Sequence, residues 1–390
     1  MSIRENRKDA TSPSKGDTSL VRNLVLIGGG HSHAIALKLW GQNPLAGVNL
    51  TLISDVENTP YSGMLPAHVA GFYSYEETHI NLPKLASFAR ANLIVDRAID
   101  LDLDKNIIFC DRTNPINFDY LSIDIGSTPQ AITVSGAKEY AIPAKPVPLF
   151  LEGWAKLLME IRENTKQKFS LVIVGGGAGG VELALNMHSR FRKESLNNVR
   201  LDLIHRGKQV LSGHNNWVSN KLEKILTQRG IKLHLQENVE RVLADKIICE
   251  SGLKINCDRV FWVTQATAPN WITESKLATD SGGFILVKDT LQSVSHPQVF
   301  AAGDIATMEN YQRPKAGVFA VRQGTPLLEN WQRIITDRSL QPYAPQKKYL
   351  ALIGTGDKNA IASWGNWGWR SPLLWYLKDY IDRKFMNEFK

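Results

Sequence analysis

The sequence predicts an α/β protein in which one dinucleotide-binding domain is inserted into another, followed by a small C-terminal region. The first observation is an apolar strand, a glycine-rich turn and a helix start in residues 168–184. The second is a similar strand–glycine–helix unit in residues 24–37. The third is a downstream strand, residues 299–304, which ends in Gly-Asp and suits a return to the first unit. Two Rossmann-like units in this order predict the insertion.

Composition and charge narrow the class of protein. The 390 residues are enough for two or three domains, and no apolar run approaches the roughly 18 residues that span a bilayer. The net charge of +8 permits contact with anionic surfaces, but the basic residues are scattered and no nucleic-acid-binding motif is present. Residues 1–20 are polar and predict a disordered tail rather than a secretory signal. We expect a cytoplasmic protein without a nucleic-acid partner.

The chain contains three cysteines, Cys110, Cys249 and Cys257. Their spacings fit neither a disulfide framework nor a zinc site. We therefore expect a reduced compartment, no metal, and no dithiol relay beside a bound cofactor.

The unit in residues 168–184 carries Gly175, Gly177 and Gly180 in the spacing typical of dinucleotide-binding turns. Gly175 suits the tight turn after the strand, and Gly177 suits a close approach to a pyrophosphate. Gly180 allows close packing of the helix on the strand. The unpaired N–H groups at the helix start suit phosphates, which predicts a nucleotide here.

The next strand of this unit, residues 200–204, ends at His205 and Arg206. A site selective for NAD typically has an acidic residue here, whereas a basic side chain suits the 2′-phosphate of NADPH. NADPH is therefore slightly favoured over NADH, and a solvated loop charge at Arg206 is the alternative. The predicted NAD(P) contacts are Gly175, Gly177, Ala178, Gly180, Glu182, His205 and Arg206.

The unit in residues 24–37 begins in the same way, with Gly28 and Gly30, but His33 replaces the third glycine. We expect this larger side chain to push the helix slightly away from the strand. His31 and His33 are either phosphate donors at the helix start or capping and packing residues.

Two segments after this unit contain residues that could contact a nucleotide bound to it. Asp55 is the candidate to bind the hydroxyl groups of an adenosine ribose, although Ser54 occupies the position after the strand where an acidic residue is expected. Residues 59–66 form a stiff loop around Pro60, which either lines a cofactor ring or is an ordinary connection.

Further candidates lie beyond the first unit. Gly126 follows a strand at a turn, Gly303 allows a cofactor to approach the backbone, and Asp304 can accept a hydrogen bond from a ribityl hydroxyl. Lys315 and Ala316 begin a predicted helix whose N-terminus suits an anionic ring.

The C-terminal region is rich in tryptophan and ends in a predicted helix, residues 371–389. Leu374, Leu377, Ile381 and Phe385 recur at helical spacing beside basic residues. The pattern fits a helix on an anionic membrane surface, or one that folds back onto the protein or covers a dimer interface. Mixed charges favour folding back, and peripheral membrane contact and a homodimer stay open.

With these segments together, the chain resembles the pyridine nucleotide-disulfide oxidoreductase superfamily of flavoproteins from about residue 21 to 330. It is most similar to a group found in some bacteria fused ahead of selenophosphate synthetase, and more distantly to type II NADH dehydrogenases and sulfide:quinone reductases. The matching segments are GGGHSHA (28–34), TPYSGMLP (59–66), RPKAGVFAVRQG (313–324), IGTGDKNAIASWG (353–365) and KDYIDRKFM (378–386).

The resemblance implies bound FAD on the first unit, NAD(P)H on the inserted unit and no redox-active disulfide. The expected domains are residues 21–145 (FAD), 146–282 (NAD(P)), 283–336 (return to the FAD domain) and 337–390 (C-terminal region with an amphipathic helix). The FAD contacts expected are Gly28, Gly29, Gly30, His31, Ser32, Asp55, Gly126, Gly303, Asp304, Lys315 and Ala316, with Lys315 and Pro60 beside the flavin ring.

The function implied is an FAD-dependent NAD(P)H oxidoreductase that passes hydride to FAD and then electrons to an unidentified small-molecule acceptor. The Ala-Gln-x-x-x-Gln signature of quinone-reducing dehydrogenases would fall where this chain has Gly317, Val318 and Arg322, which counts against a quinone. The alternatives are a peripheral-membrane quinone reductase of the type II NADH dehydrogenase kind and a redox-sensing flavoprotein with slow turnover.

Overall fold

A computed structural model describes residues 21–129, 134–264 and 266–390 of the chain. The tail predicted at residues 1–20 lies outside the described residues.

Two five-stranded sheets with parallel strands form the centre of the fold. Most of their strands are apolar runs buried on both faces, which is typical of parallel sheets covered by helices. The prediction of an α/β fold with two Rossmann-like units is confirmed. The first sheet has the order Val299–Ala301, Tyr120–Ile123, Arg22–Ile27, Val48–Ser54 and Asn92–Val95. The second has the order Ala141–Pro143, Arg259–Trp262, Phe169–Val174, Val199–His205 and Lys232–Leu235.

The strand order shows how one unit is inserted into the other. Val299–Ala301 pairs with Tyr120–Ile123, which in turn pairs with Arg22–Ile27. The chain leaves the first sheet after Tyr120–Ile123, builds the second sheet, and returns to the adjacent position.

Helices lie beside both sheets, and the two that begin at the glycine turns are α1 and α7. The helices are α1 (His31–Gln42), α2 (Leu65–Val69), α3 (Tyr75–Thr78), α4 (Leu82–Phe88), α5 (Ala137–Tyr140), α6 (Val147–Glu163), α7 (Ala178–Lys193), α8 (Asn216–Gln228), α9 (Asn270–Glu274), α10 (Gly317–Ile335) and α11 (Pro372–Asn387). A short 3₁₀ helix spans Gly303–Ile305.

Shorter strands form small sheets around this centre. They are Asn58–Pro60 with His79–Asn81; Ala98–Asp102, Ile107–Cys110 and Ile116–Asn117; Thr128–Pro129 with Ala266–Thr267; Val239–Val242, Lys246–Cys249 and Lys254–Asn256; Ile285–Val287 with Ala306–Met308; and Ala351–Gly354, Ala360–Trp364 and Trp367–Ser371.

Each large sheet has its own apolar core. Phe300 and Trp331 are fully buried in the first core, and Phe150 and Phe261 in the second. Two segments belong to a different domain from the one that the sequence predicts for them. Ala141–Pro143 is a strand of the second sheet, and α9 packs in the first core through Ile272.

The C-terminal helix α11 folds back onto the first unit. Its N-terminus is capped by the Ser371 side chain, which accepts a hydrogen bond from Leu373 N. On the buried face, the hydroxyl of Tyr73 donates to Asp379 at 2.6 Å.

Of the four residues in the predicted apolar stripe, Leu374 and Phe385 are buried, whereas Leu377 and Ile381 are exposed. The stripe therefore serves packing only in part, because half of it faces outward.

Candidate functional site

The first glycine turn joins the strand Arg22–Ile27 to α1. Gly28 has φ +94°, a left-handed conformation that favours glycine, and a Cβ here would overlap the backbone of Asp124. The backbone N–H of Gly28 donates to Ile53 at 2.8 Å, and that of Gly30 donates to Asp124 at 3.1 Å. These bonds fix the start of α1 at the carboxyl edge of the first sheet, where open α/β sheets bind ligands.

A carboxylate lies at the N-terminus of α1. Asp124 accepts hydrogen bonds from the backbone N–H groups of Ser32 at 2.9 Å and His33 at 3.1 Å, and its side chain is buried. Burial raises the pKa of Asp124 from 3.8 to about 7, although the two N–H groups act in the opposite direction. Asp124 is not recognisable as a site residue from the sequence, because an aspartate after a strand is a common turn residue.

His33, at the third glycine position, is fully buried. Its Nδ1 lies 2.6 Å from the Gly28 carbonyl, and its Nε2 lies 2.8 Å from the Ser122 hydroxyl. Because a carbonyl only accepts, Nδ1 donates and Nε2 accepts from the hydroxyl. Burial lowers the pKa of His33 to about 4, so the ring is neutral. Both ring nitrogens have protein partners, which favours the packing interpretation over a phosphate donor.

His31, the first residue of α1, faces a different environment. Its ring lies 5.3 Å from the ring of Tyr61 and 6.0 Å from that of Phe385. Its Nε2 is buried without a hydrogen-bond partner among the described residues. Burial lowers the pKa of His31 to about 4. A neutral ring with an unpartnered nitrogen beside the loop of Pro60 is suited to an additional polar ligand.

The return strand brings Gly303 and Asp304 beside Asp124. The backbone N–H of Gly303 donates to Gln323 at 2.7 Å, and a Cβ on Gly303 would overlap Asp124. Asp304 accepts a hydrogen bond from Lys145 Nζ at 2.7 Å. Lys145 is not recognisable as a site residue from the sequence, because it lies in a proline-rich segment without a binding motif.

The other predicted residues of the first unit are spread more widely. Gly126 has φ +71° and open space around its Cβ position. Lys315 lies just before α10, whose N-cap is Ala316, and its Nζ donates to Ala306 O at 2.6 Å. Burial lowers the pKa of Lys315 to about 8. Asp55 is half exposed, 3.9 Å from Arg97, and is not joined to the glycine turn by hydrogen bonds.

The second glycine turn joins the strand Phe169–Val174 to α7. Gly175 has φ +124°, and a Cβ here would overlap the backbone of Val263. Gly180 lies against Gly175, so that a Cβ would overlap the Gly175 carbonyl. Gly177 is the N-cap of α7, directly before Ala178, and has open space around its Cβ position. The start of α7 is therefore open at the carboxyl edge of the second sheet.

His205 lies over the second turn. The backbone N–H of Gly176 donates to His205 Nδ1 at 3.2 Å, whereas His205 Nε2 is buried without a partner among the described residues. Arg206 is exposed next to it. The hydroxyl of Thr264, which follows the neighbouring strand, is also buried and unpartnered within the described chain. The Oε1 atom of Glu182 accepts a hydrogen bond from Gly354 N, in the C-terminal region, at 2.8 Å.

These observations test whether the two units suit nucleotide cofactors. Where the sheets end, buried polar atoms of His31, His205 and Thr264 lack partners among the described residues, and open space adjoins Gly126 and Gly177. Native proteins rarely leave such atoms unpaired, so they indicate sites for polar ligands. The residues present therefore fit a flavin nucleotide on the first unit and a pyridine nucleotide on the second.

The described residues contain no group of side chains suited to a metal ion, and none of their helices is long and apolar enough to cross a membrane. The three cysteines are buried and unpaired with one another. Burial raises the pKa values of Cys249 and Cys257 to about 11, so neither thiol is ionised at neutral pH.

Comparison with known proteins supports the same interpretation. Residues 22–324 match the family model described as pyridine nucleotide-disulphide oxidoreductase. The NADH dehydrogenase-like protein YutJ of Bacillus subtilis is 24% identical over 345 residues, covering 87% of this chain and 91% of that protein. The demethylphylloquinone reductase NdbB of Synechocystis is 27% identical over 280 residues, covering 68% of this chain and 66% of that protein. The structure of NDH2 from Plasmodium falciparum in complex with NADH superposes with a TM-score of 0.82 at 15% identity, covering 95% of this chain and 97% of that one.

Proposed function

The chain belongs to the pyridine nucleotide-disulphide oxidoreductase family, a family of enzymes, and from this premise we propose that it passes electrons from NAD(P)H through bound FAD to a quinone. The observation that supports this most is the pair of glycine turns. Each begins a helix at the carboxyl edge of a parallel sheet, and each adjoins buried polar atoms that have no partner in the described part of the chain.

We assign the FAD to the first unit. Gly28, Gly30 and Gly303 would bring the backbone close to the cofactor, and Asp304, held by Lys145, would accept from its hydroxyl groups. The first unit would hold FAD for redox chemistry, and hydride transfer would need no acid or base from the protein. The protein orients the two nucleotides, and the neutral ring of His31 offers a donor or acceptor beside the loop of residues 59–66.

We assign the pyridine nucleotide to the second unit, with its phosphates at the open start of α7. His205 and Arg206 lie at the end of the adjacent strand, where a 2′-phosphate would be bound. Arg206 favours NADPH slightly, although YutJ is named for NADH. The phosphate contact would be charge-assisted, and Arg206 can make it because it is exposed.

A quinone is the acceptor that the relatives favour, because NdbB is named as a demethylphylloquinone reductase. The C-terminal region offers a surface for reaching such a lipid-soluble substrate. Its large apolar side chains with more than half of their surface exposed are Trp367, Trp369, Leu373, Tyr376 and Tyr380. Soluble proteins seldom expose so many together, which supports peripheral contact with a membrane.

A panel of acceptors tests this proposal. The purified protein, reconstituted with FAD, should oxidise NADPH with a short-chain quinone, and added anionic vesicles should increase the rate with a long-chain quinone. A protein that reduces ferricyanide but no quinone would contradict the acceptor while leaving the dehydrogenase activity intact. Equal rates with and without vesicles, and no sedimentation with them, would contradict the membrane contact.

A further inference from the structure

Three buried polar atoms without partners lie in one short segment that follows α10. They are the hydroxyl oxygen of Tyr343 and the Nε2 and Oε1 atoms of Gln346, and none has a hydrogen-bond partner among the described residues. The backbone of this segment is held in place, because the Tyr343 N–H donates to Asp289 O at 2.8 Å. Since native proteins rarely leave buried side-chain polar atoms unpaired, this concentration indicates a place for a polar ligand.

The segment is packed along α10. At one end, Asn330 Nδ2 donates to Gln341 O at 2.9 Å, and Gln341 N donates to Asn330 Oδ1 at 2.8 Å. At the other end, the rings of Phe319 and Tyr349 lie 5.4 Å apart. Residues 341–349 therefore run antiparallel to α10, and residues 343–346 lie between the two contacts.

Two arginines face the unpartnered atoms. The first is Arg313, which precedes α10. Its Nε donates to Gln346 O at 3.1 Å, and its Nη2 donates to Pro345 O at 3.4 Å, so its guanidinium lies beside this segment. The second is Arg322, and both guanidiniums act on the phenol of Tyr343. Burial raises the pKa of Tyr343, whereas Arg322 and Arg313 lower it.

The helix itself directs Arg322 towards this segment. Arg322 is three positions after Phe319, so the two side chains are neighbours on the surface that residues 341–349 cover. It is two positions before Gly324, where a Cβ would overlap Ile35 of α1. Because residues two apart on a helix point to nearly opposite sides, Arg322 faces away from α1 and its glycine turn.

Neither guanidinium has a carboxylate partner in the described part of the chain. The acceptors of Arg313 there are backbone carbonyl oxygens, and Arg322 makes no hydrogen bond or ion pair with the described residues. A guanidinium presents a planar fork of N–H donors that matches two oxygens of a carboxylate or phosphate. The Tyr343 hydroxyl and Gln346 Nε2 can also donate, whereas Gln346 Oε1 needs a donor from the ligand.

We propose that Arg313, Arg322, Tyr343 and Gln346 form a binding site for a small oxyanion, namely a phosphate or carboxylate group on a molecule that also carries a hydroxyl. This site is separate from the two glycine turns, and the bound anion would fasten residues 341–349 to α10. Its ligand takes no part in electron transfer, so the inference does not depend on the proposed function.

Isothermal titration of the FAD-reconstituted protein with inorganic phosphate and with citrate tests the site. The wild type should bind at least one of them, and the stronger of the two identifies a phosphate or a carboxylate as the preferred group. Arg322→Gln and Tyr343→Phe should each weaken that binding by about tenfold or more. Lys347→Gln is the matched control, because it removes the same charge from an exposed neighbour, and it should keep the wild-type affinity.

Thermal unfolding distinguishes a bound anion from a structural role of the same residues. Because the Tyr343 hydroxyl has no partner in the described part of the chain, Tyr343→Phe should not lower the melting temperature in the absence of anions. It should, however, lose the increase in melting temperature that the preferred anion gives the wild type.

Three results would overturn the proposal. The first is a wild type that binds neither phosphate nor citrate. The second is equal affinity in the wild type, Arg322→Gln and Tyr343→Phe, which would place the anion elsewhere, for example at a glycine turn. The third is equal weakening in Lys347→Gln and Arg322→Gln, which would show attraction to the basic surface only.

Discussion

The two glycine turns share their first half and differ in their second. Gly28 and Gly175 both have positive φ, and a Cβ on either would overlap a backbone carbonyl of a neighbouring strand end, at Asp124 and Val263 respectively. Asp124 and Val263 therefore occupy equivalent places. At the third position of the motif, however, the first unit has His33 and the second has Gly180.

The difference shows that glycine spacing does not determine how a helix start is used. In the second unit α7 packs directly on its turn through Gly180, and the Cβ position of its N-cap residue, Gly177, lies in open space. In the first unit a buried imidazole fills the turn, and Asp124 already accepts from two N–H groups of α1. We therefore expect a cofactor on the first unit to depend more on the return strand, with Asp304 and its partner Lys145.

The largest effect on binding and stability should come from replacing Gly180, the third glycine of the second turn, with the histidine found at that position of the first turn. In Gly180→His the side chain would overlap the Gly175 carbonyl, so we expect loss of NADPH binding and of folding in the second unit. Gly179→Ala is the control, because its Cβ would meet Val263 at 3.7 Å, an ordinary contact. Calorimetry gives the thermal stability of both variants, and a binding titration gives their affinity for NADPH. If Gly180→His were as stable as the wild type, the two turns would be interchangeable.

The converse change, His33→Ala, should be less severe. It removes hydrogen bonds to Gly28 and Ser122 and leaves a cavity near Trp331. We expect a loss of about 2–5 kcal/mol in the free energy of unfolding and weaker retention of flavin. Urea unfolding measures the free energy of unfolding, and gel filtration measures how much flavin stays bound. A stability within experimental error of the wild type would mean that His33 contributes nothing to the turn.

The third test concerns Asp124 and the pH dependence of the free energy of unfolding. Its pKa is raised to about 7 in the folded state, so the folded protein holds a proton that the unfolded chain releases. The stability it contributes is present below about pH 4 and is lost as the pH rises through 7. Asp124→Asn cannot titrate, so between pH 5 and pH 8 it should lose less stability than the wild type, by ~2–4 kcal/mol. Parallel pH profiles of the two proteins would contradict this.

The smallest expected effect concerns specificity in the second unit. Arg206→Glu should shift the preference from NADPH towards NADH by about tenfold to a hundredfold in relative kcat/KM, because a charge-assisted contact is worth ~1.5–3 kcal/mol. Lys208→Glu is the control, as a second exposed basic residue of the same loop. An unchanged ratio in Arg206→Glu would show that Arg206 does not contact the phosphate.

The sequence sufficed for the fold because its signals are local. The apolar runs before Gly28 and Gly175 became the strands Arg22–Ile27 and Phe169–Val174, and the downstream run became the return strand Val299–Ala301. Boundaries were less certain. Residues 93–104 contain the end of Asn92–Val95 and the whole of Ala98–Asp102, which belong to different sheets. A strand that changes sheets keeps its apolar alternation, so the break is not visible in the sequence.

The site was less predictable, because its contacts join residues far apart in the chain. Asp124 meets α1 across more than 90 positions, and Lys145 meets Asp304 across 159. No spacing rule connects such partners. The departure at His33 was visible in the sequence, but the burial of its ring and its hydrogen bond with Ser122 were not, because only the sheet order brings Ser122 near.

The central claim is that one unit holds a flavin and the other holds its reductant. An anaerobic titration of the purified, FAD-reconstituted protein with NADPH, followed by the absorption spectrum, tests it most directly. We predict a yellow protein with one flavin per chain, which bleaches when a stoichiometric amount of NADPH is added. A correctly folded protein that cannot be reconstituted with FAD, or whose flavin stays oxidised with both NADPH and NADH, would contradict it.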